Sequence, residues 1–190
     1  MSQKDFLAEL IRTIETAGIP YMLTGSFASS YHGEPRASND ADIVISPSRE
    51  QIKSFLASLG PEYYVDPDTA REAIDRHSMF NIIDCRRGWK ADLIIRKERP
   101  YSREEFRRRN RGTIAGMKVM VATPEDIILT KLEWAKKGAS EIQFRDALGV
   151  ASIQFSQLDN DYLSKWAKEL RVDRLLSAML EQAEALQPAE

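Results

Sequence analysis

Three aspartates and one glycine–serine pair are the residues of this chain whose types and spacing can do chemistry. Asp40-Ala41-Asp42 opens the apolar-rich run DADIVIS. Side chains alternate faces along a strand, so the two carboxylates point the same way. Carboxylates side by side repel, and one takes up a proton unless a cation sits between them. A divalent ion, which prefers hard oxygen ligands, removes that penalty. Asp92 is the lone acid of a second apolar run, ADLII, and completes a cluster of three if the two strands are neighbours. Upstream, separated from Asp40 by thirteen intervening residues, stands Gly25-Ser26. Glycine lets the backbone approach a ligand closely, and a helix that follows offers unpaired N–H groups to an anion. Ser26 adds a hydroxyl donor. A metal cluster plus a phosphate cradle is the equipment of phosphoryl transfer.

The elements that must position these residues follow from periodicity and punctuation. Residues 3–17 read as an amphipathic helix with Phe6, Leu7, Leu10, Ile11 and Ile14 on one face and Gly18 as its stop. Tyr21-Met22-Leu23 forms a short strand leading into Gly25-Ser26, and a short helix runs from Ser26 to Tyr31, closed by Gly33. Residues 34–39 form a loop and 40–46 a strand. Pro47-Ser48 opens a helix carrying Ile52, Phe55, Leu56 and Leu59, and Gly60-Pro61 ends it. A short helix over 69–76 precedes strands at 79–85 and 89–95, joined by Arg86-Arg87-Gly88. Ser102 to Glu105 has the spacing of a capping box, predicting a basic helix to about Asn110. Residues 113–121 make a hairpin turning near Gly116. Thr123-Pro124-Glu125-Asp126 starts a helix that stops at Gly138. Three more follow near 140–151, 158–170 and 172–186. The expected class is α/β (α+β): a small mixed sheet flanked by helices over residues 1–122, then a helical C-terminal part over 123–190.

Composition narrows the function classes. A chain of 190 residues, 43% hydrophobic and 29% charged, is long enough to bury a core. It has no apolar run long enough to span a bilayer, and its charged N-terminus lacks the core of a signal peptide, so the cytoplasm is expected. The single cysteine, Cys85, excludes an internal disulfide framework and a Cys-rich zinc site, and is expected in the core of its strand. The net charge of −2 conceals an asymmetry. Residues 86–111 hold eleven Lys or Arg against four acids, about +7, which suggests an electrostatic partner such as RNA or a highly solvated helix. Arg36, in the loop before the aspartate pair, is placed to reach a phosphate or to order its loop. Lys131 lies at the margin of an apolar stripe, where it either contacts a nucleotide or snorkels. Asp146 falls on an otherwise apolar helix face and needs a partner, Lys131 or Arg145. His32 and His77 have no metal-ligand spacing and read as structural or surface residues.

Taken together, Gly25-Ser26, the thirteen-residue gap, Asp40-x-Asp42 and Asp92 resemble the signature of the polymerase-β-like nucleotidyltransferase superfamily. Within it, GSFASSYHGEPRASNDADIVI and TPEDIILTKLEWAKKGASEIQFRDALGV are similar to small bacterial nucleotidyltransferases of the AbiEii/MenT toxin type. The chain departs from those toxins at Gly149, where they often carry a second acid. The resemblance implies a sheet of the nucleotidyltransferase type in residues 1–122. It also implies an enzyme that moves an NMP from an NTP to an acceptor hydroxyl with release of pyrophosphate. Asp40, Asp42 and Asp92 would be the catalytic residues and the ligands of two Mg²⁺. Gly25, Ser26, Arg36 and Lys131 would bind the nucleotide. The acceptor would be tRNA or another RNA, docked on the basic stretch 86–111, and the protein partner a cognate antitoxin. A small hydroxylated acceptor, as in antibiotic-modifying relatives, and a non-catalytic nucleotide-binding or interaction protein of the same fold are the alternatives. A hydrolase is disfavoured by the lack of an HD pair, a GxSxG elbow and a Walker lysine.

Overall fold

The computed structural model describes residues 2–114 and 116–188. In chain order its elements are α1 (Gln3–Thr16), β1 (Tyr21–Thr24), α2 (Gly25–His32), β2 (Asp40–Ile45), α3 (Arg49–Ser58), β3 (Tyr63–Tyr64), α4 (Pro67–Arg76), β4 (Met79–Asp84), β5 (Lys90–Ile95) and α5 (Pro100–Arg108). They continue with β6 (Asn110–Ile114), β7 (Met117–Val121), α6 (Pro124–Gly138), α7 (Glu141–Gln154), a 3₁₀ turn (Phe155–Gln157), α8 (Asn160–Leu170) and α9 (Asp173–Ala185). The chain groups into two compact bodies. One holds the residues up to Thr24 together with Ala37–Val121, and the other Gly25–Arg36 together with the residues from Ala122 onward.

The first body is built on a seven-stranded mixed sheet in the order β3-β4-β5-β2-β1-β7-β6. β2 runs parallel to β5 and antiparallel to β1, and β1 runs parallel to β7. Along β2 and β5 half-buried positions alternate strictly with buried ones. Ala41, Ile43, Ile45, Ala91, Leu93 and Ile95 supply the buried set, with Phe6, Leu10 and Ile14 of α1 and Ile52 and Phe55 of α3 also in the core. Each of the Leu, Ile and Phe side chains contributes roughly 1.5–3 kcal/mol through apolar burial, and the alanines less. Capping boxes start α1 (Ser2 with Asp5) and α3 (Ser48 with Gln51), satisfying N–H groups that have no partner inside the helix.

The second body is helical. α6 is capped by the Thr123 hydroxyl, which accepts from the Asp126 N–H, with proline in its first turn, as the sequence predicts. α7 packs against α6, α9 and α2, and α8 against α6 and α9. At Gly33 a Cβ would lie 2.7 Å from the Val150 nitrogen, so only glycine lets the end of α2 rest on the backbone of α7. Among the described residues no helix is long and apolar enough to cross a membrane.

Two local expectations are corrected. α5 starts at Pro100, not at Ser102, and its N-cap Arg99 makes no side-chain cap bond. Proline presets the first-turn geometry and has no N–H to satisfy. Ser102 is therefore inside the helix and buried, its Oγ accepting from Arg99 Nε at 2.9 Å. Cys85 is exposed rather than core. β4 stops at the buried Asp84, whose carboxylate accepts from the Arg86 N–H at 2.9 Å, and Cys85 falls in the turn beyond.

Candidate active site

Strand register decides where the three aspartates stand. Asp42 pairs across β2 with Asp92 of β5, Thr24 of β1 pairs with Asp42, and Asn81 of β4 pairs with Asp92. Residues directly opposite in adjacent strands share a face. Thr24, Asp42, Asp92 and Asn81 thus form one row across four strands, on the half-open face of β2 and β5. Asp40, two residues before Asp42, faces the same side and pairs with Lys90. The structure meets the condition under which Asp92 joins Asp40 and Asp42, since β2 and β5 are neighbours.

The electrostatics of the patch are set by Lys90. Its Nζ lies 3.1 Å from Asp92 Oδ1 and 3.5 Å from Asp40 Oδ2. Burial works against its charge, but hydrogen bonding and attraction from Asp92, then Asp40, outweigh it and raise its pKa above the ordinary lysine value. Asn81 Nδ2 also donates to Asp92 Oδ1. The Asp92 side chain is 13% exposed against 49% for Asp40, so it is the more enclosed of the two carboxylates that Lys90 bridges. Thr24 Oγ1 is buried and makes no hydrogen bond, although a buried hydroxyl normally has a partner. In donor chemistry and in register the patch fits a hard divalent cation: three carboxylates on one face, and an orphaned hydroxyl in the same row. As placed, the side chains do not close on one. Among the described residues no three acidic, histidine or cysteine side chains converge as a metal site, and an ammonium bridges Asp40 and Asp92 instead.

The second body carries a separate polar cluster. Gly25 adopts φ 60°, a left-handed conformation that glycine takes without steric cost, where the chain turns from β1 into α2. The next residue, Ser26, is buried, and its hydroxyl accepts from Arg36 Nη2 at 2.6 Å, which leaves its own proton to donate. The Arg36 guanidinium grips Asp146 in a fork, Nε to Oδ1 at 2.9 Å and Nη2 to Oδ2 at 2.9 Å. Lys131 Nζ reaches the same Oδ2 at 2.8 Å, and both side chains of that pair are about 5% exposed. Lys131 therefore does not snorkel. Burial pushes the Asp146 pKa up, but the hydrogen bonds from Arg36 and Lys131 win and hold the carboxyl below the ordinary aspartate value. Asp146 thus finds the expected Lys131 but takes Arg36 as its other cation in place of Arg145, which is exposed.

The remaining candidates resolve simply. His32 Nε2 lies 2.7 Å from the Ala122 carbonyl, to which it donates. His77 caps α4 in a left-handed conformation and is exposed. Many of the cations of residues 86–111 are engaged inside the chain, among them Arg86 with Glu62, Arg87 with Asp84, Lys90 as above, Arg96 and Arg103 with Glu98, and Arg107 with Glu104. Lys90, Asn81 and Thr24 escaped the sequence reading. A signal existed for Lys90 alone, since a residue two before Asp92 in a strand must share its face.

No protein-family model and no curated protein matches the chain. Solved structures do. An antigenic nucleotidyltransferase-like protein from Paracoccidioides brasiliensis superposes with a TM-score of 0.58 at 18% identity, covering 94% of this chain and 92% of its own. ANT(2'')-Ia in complex with adenylyl-2''-tobramycin superposes with a TM-score of 0.55 at 14% identity, covering 96% and 99%. The solution structure of the same antibiotic-resistance factor gives 0.53 at 14% identity over 95% and 92%. The chain has the nucleotidyltransferase fold.

Proposed function

We propose that the protein is a metal-dependent nucleotidyltransferase that moves an NMP from an NTP onto an acceptor hydroxyl. The observation that carries this reading is the register of Asp42 with Asp92, with Asp40 on the same face. Asp40, Asp42 and Asp92 are the catalytic residues and the ligands of Mg²⁺. Bound there, Mg²⁺ supplies a more nucleophilic acceptor oxygen and neutralises the charge of the triphosphate and the leaving pyrophosphate. The acceptor oxygen forms a bond to the α-phosphorus as the bond to the β-phosphate oxygen breaks. Asn81 holds Oδ1 of Asp92, so its Oδ2 is assigned to the acceptor proton. Gly25 and Ser26 bind phosphate through backbone N–H groups and the Ser26 hydroxyl. Arg36 and Lys131, two cations sharing one carboxylate, supply the positive surplus a triphosphate needs.

For the acceptor we infer an RNA end contacted by cations of residues 86–111, with a cognate antitoxin as the protein partner in the cytoplasm. A small hydroxylated acceptor is the second reading. It is favoured by the ion pairing of cations such as Arg86, Arg87, Arg96, Arg103 and Arg107, since phosphate contacts supply most non-specific RNA affinity and paired cations supply less of it. Each α-labelled NTP is incubated with protein, Mg²⁺ and either total RNA or a panel of small polyols and aminoglycosides. Label joins RNA, pyrophosphate is released, and both stop with EDTA. Label on a small alcohol alone selects the second reading, and no transfer to either class overturns the assignment.

A further inference from the structure

Lys90 touches two of the three aspartates, and the proposed reaction gives it no task. It stands on β5 two residues before Asp92 and in register with Asp40 of β2, so backbone geometry alone aims its side chain over the carboxylate patch. That side chain is 33% exposed, neither sealed in the protein nor fully solvated. From there it spans the gap between strands, reaching Oδ1 of Asp92 and Oδ2 of Asp40. Like charges directly opposite on neighbouring strands destabilise a sheet, and Asp42 opposite Asp92 is such a pair. Without a cation the row would either take up a proton or push its strands apart.

We propose that Lys90 is a resident counter-ion that holds the carboxylate row together in the absence of metal and must withdraw for a divalent cation to bind. The inference rests on the reading of the row as a metal centre. The oxygens that Lys90 engages are among those a metal would need, and one carboxylate oxygen does not serve an ammonium and a divalent cation equally at the same point. An ammonium on a four-carbon stem suits such an exchange. It is a compact, strongly hydrated charge that swings into water at little cost, unlike a guanidinium locked in a fork. Lys90 therefore sets the metal affinity of the free protein and ties metal loading to a movement of its own side chain. The nearby charged groups on the strands flanking it are Asp40, Asp42 and Asp92, and Asn81 is the nearest neutral donor.

The test is a titration of Mn²⁺ alone into the full chain, following free Mn²⁺ by electron paramagnetic resonance, for wild type, Lys90→Met, Lys90→Arg and Asp42→Asn. Thermal unfolding with and without Mn²⁺ runs in parallel. Lys90→Met keeps the length of the stem and removes the charge. It should bind Mn²⁺ about tenfold more tightly than wild type, as expected for loss of one cation within a few ångströms of the ion. It should also melt below wild type without metal, with the gap closing at saturating Mn²⁺. Lys90→Arg grips the carboxylates with two N–H groups and should bind Mn²⁺ more weakly than wild type. Affinity in Lys90→Met equal to or weaker than wild type overturns the inference. If Lys90→Met does not fold, equal affinities in Lys90→Arg and wild type overturn it on their own. Asp42→Asn separates the two claims. If it loses Mn²⁺ while both Lys90 variants behave as wild type, the metal centre stands and the counter-ion role alone falls. If it binds Mn²⁺ as wild type does, the row is not the metal site and both readings fall.

Discussion

In the sheet body one ammonium bridges two of three carboxylates on one face, whereas in the helical body two cations share one carboxylate. The first patch has a surplus of negative charge and suits a cation. The second has a surplus of positive charge and suits an anion. They are also assembled differently. The carboxylate row follows from strand alternation and the pairing of two six-residue strands. The cation cluster joins Arg36 to Asp146 across 110 residues of chain and depends on helix packing for every contact. The partly exposed row holds its charges at a solvated rim, while Lys131 and Asp146 are buried and lean on each other. Function is therefore expected to dominate the effect of changes in the row, and stability the effect of changes in the cluster.

The largest effect that would break this contrast is in the row. Asp42→Asn should lower nucleotidyl transfer by about a thousandfold or more, since metal-borne charge stabilisation supplies several kcal/mol of such a barrier. Its urea midpoint should stay level or rise, because one of two facing carboxylates is gone. A large loss of stability would make the row a structural feature. In the cluster the balance reverses. Asp146→Ala strands the buried Lys131 charge and should cost about 3–5 kcal/mol in denaturant unfolding. Arg145→Ala, one residue away and exposed, should cost close to nothing, and equal losses would dissolve the distinction.

A smaller effect concerns pH. Burial, opposed by the hydrogen bond to the Ala122 carbonyl and then by Glu125, lowers the His32 pKa in the folded protein. Folding thus favours the neutral ring. Its contribution is complete above the unfolded value, about 6.5, and is lost as pH falls below it through the folded value. Thermal unfolding between pH 7.5 and 5.5 should therefore show a fall in stability that His32→Gln flattens. Asp146 acts only in stronger acid: its lowered pKa means that its contribution is lost as pH falls below about 4. The smallest effect is Thr24→Val. Replacing a buried hydroxyl that makes no hydrogen bond by a methyl of the same shape should leave stability unchanged or slightly higher.

The same contrast explains what was legible in the sequence. Alternation in DADIVIS puts Asp40 and Asp42 on one face, ADLII marks Asp92 as the lone acid of its strand, and cap residues such as Ser48 and Thr123 mark helix starts. What the sequence withheld is register and long-range convergence. Asn81 and Thr24 joined the row only once four strands were aligned. Arg36 met Asp146 only once the helical body had packed, and Arg145, adjacent in sequence, proved the wrong partner. β3, two residues long, carries too little pattern to read. Cys85 misled because the strand stops at Asp84, where a buried carboxylate anchors the turn and leaves the thiol outside.

The most direct test of the account is a crystal soaked with Mn²⁺ and a non-hydrolysable NTP, with data collected at the manganese edge. An anomalous peak within coordination distance of the Asp42 and Asp92 carboxylates, with Lys90 turned away, is the predicted result. Manganese bound elsewhere, or a row still closed on Lys90 while nucleotide is held, would contradict it.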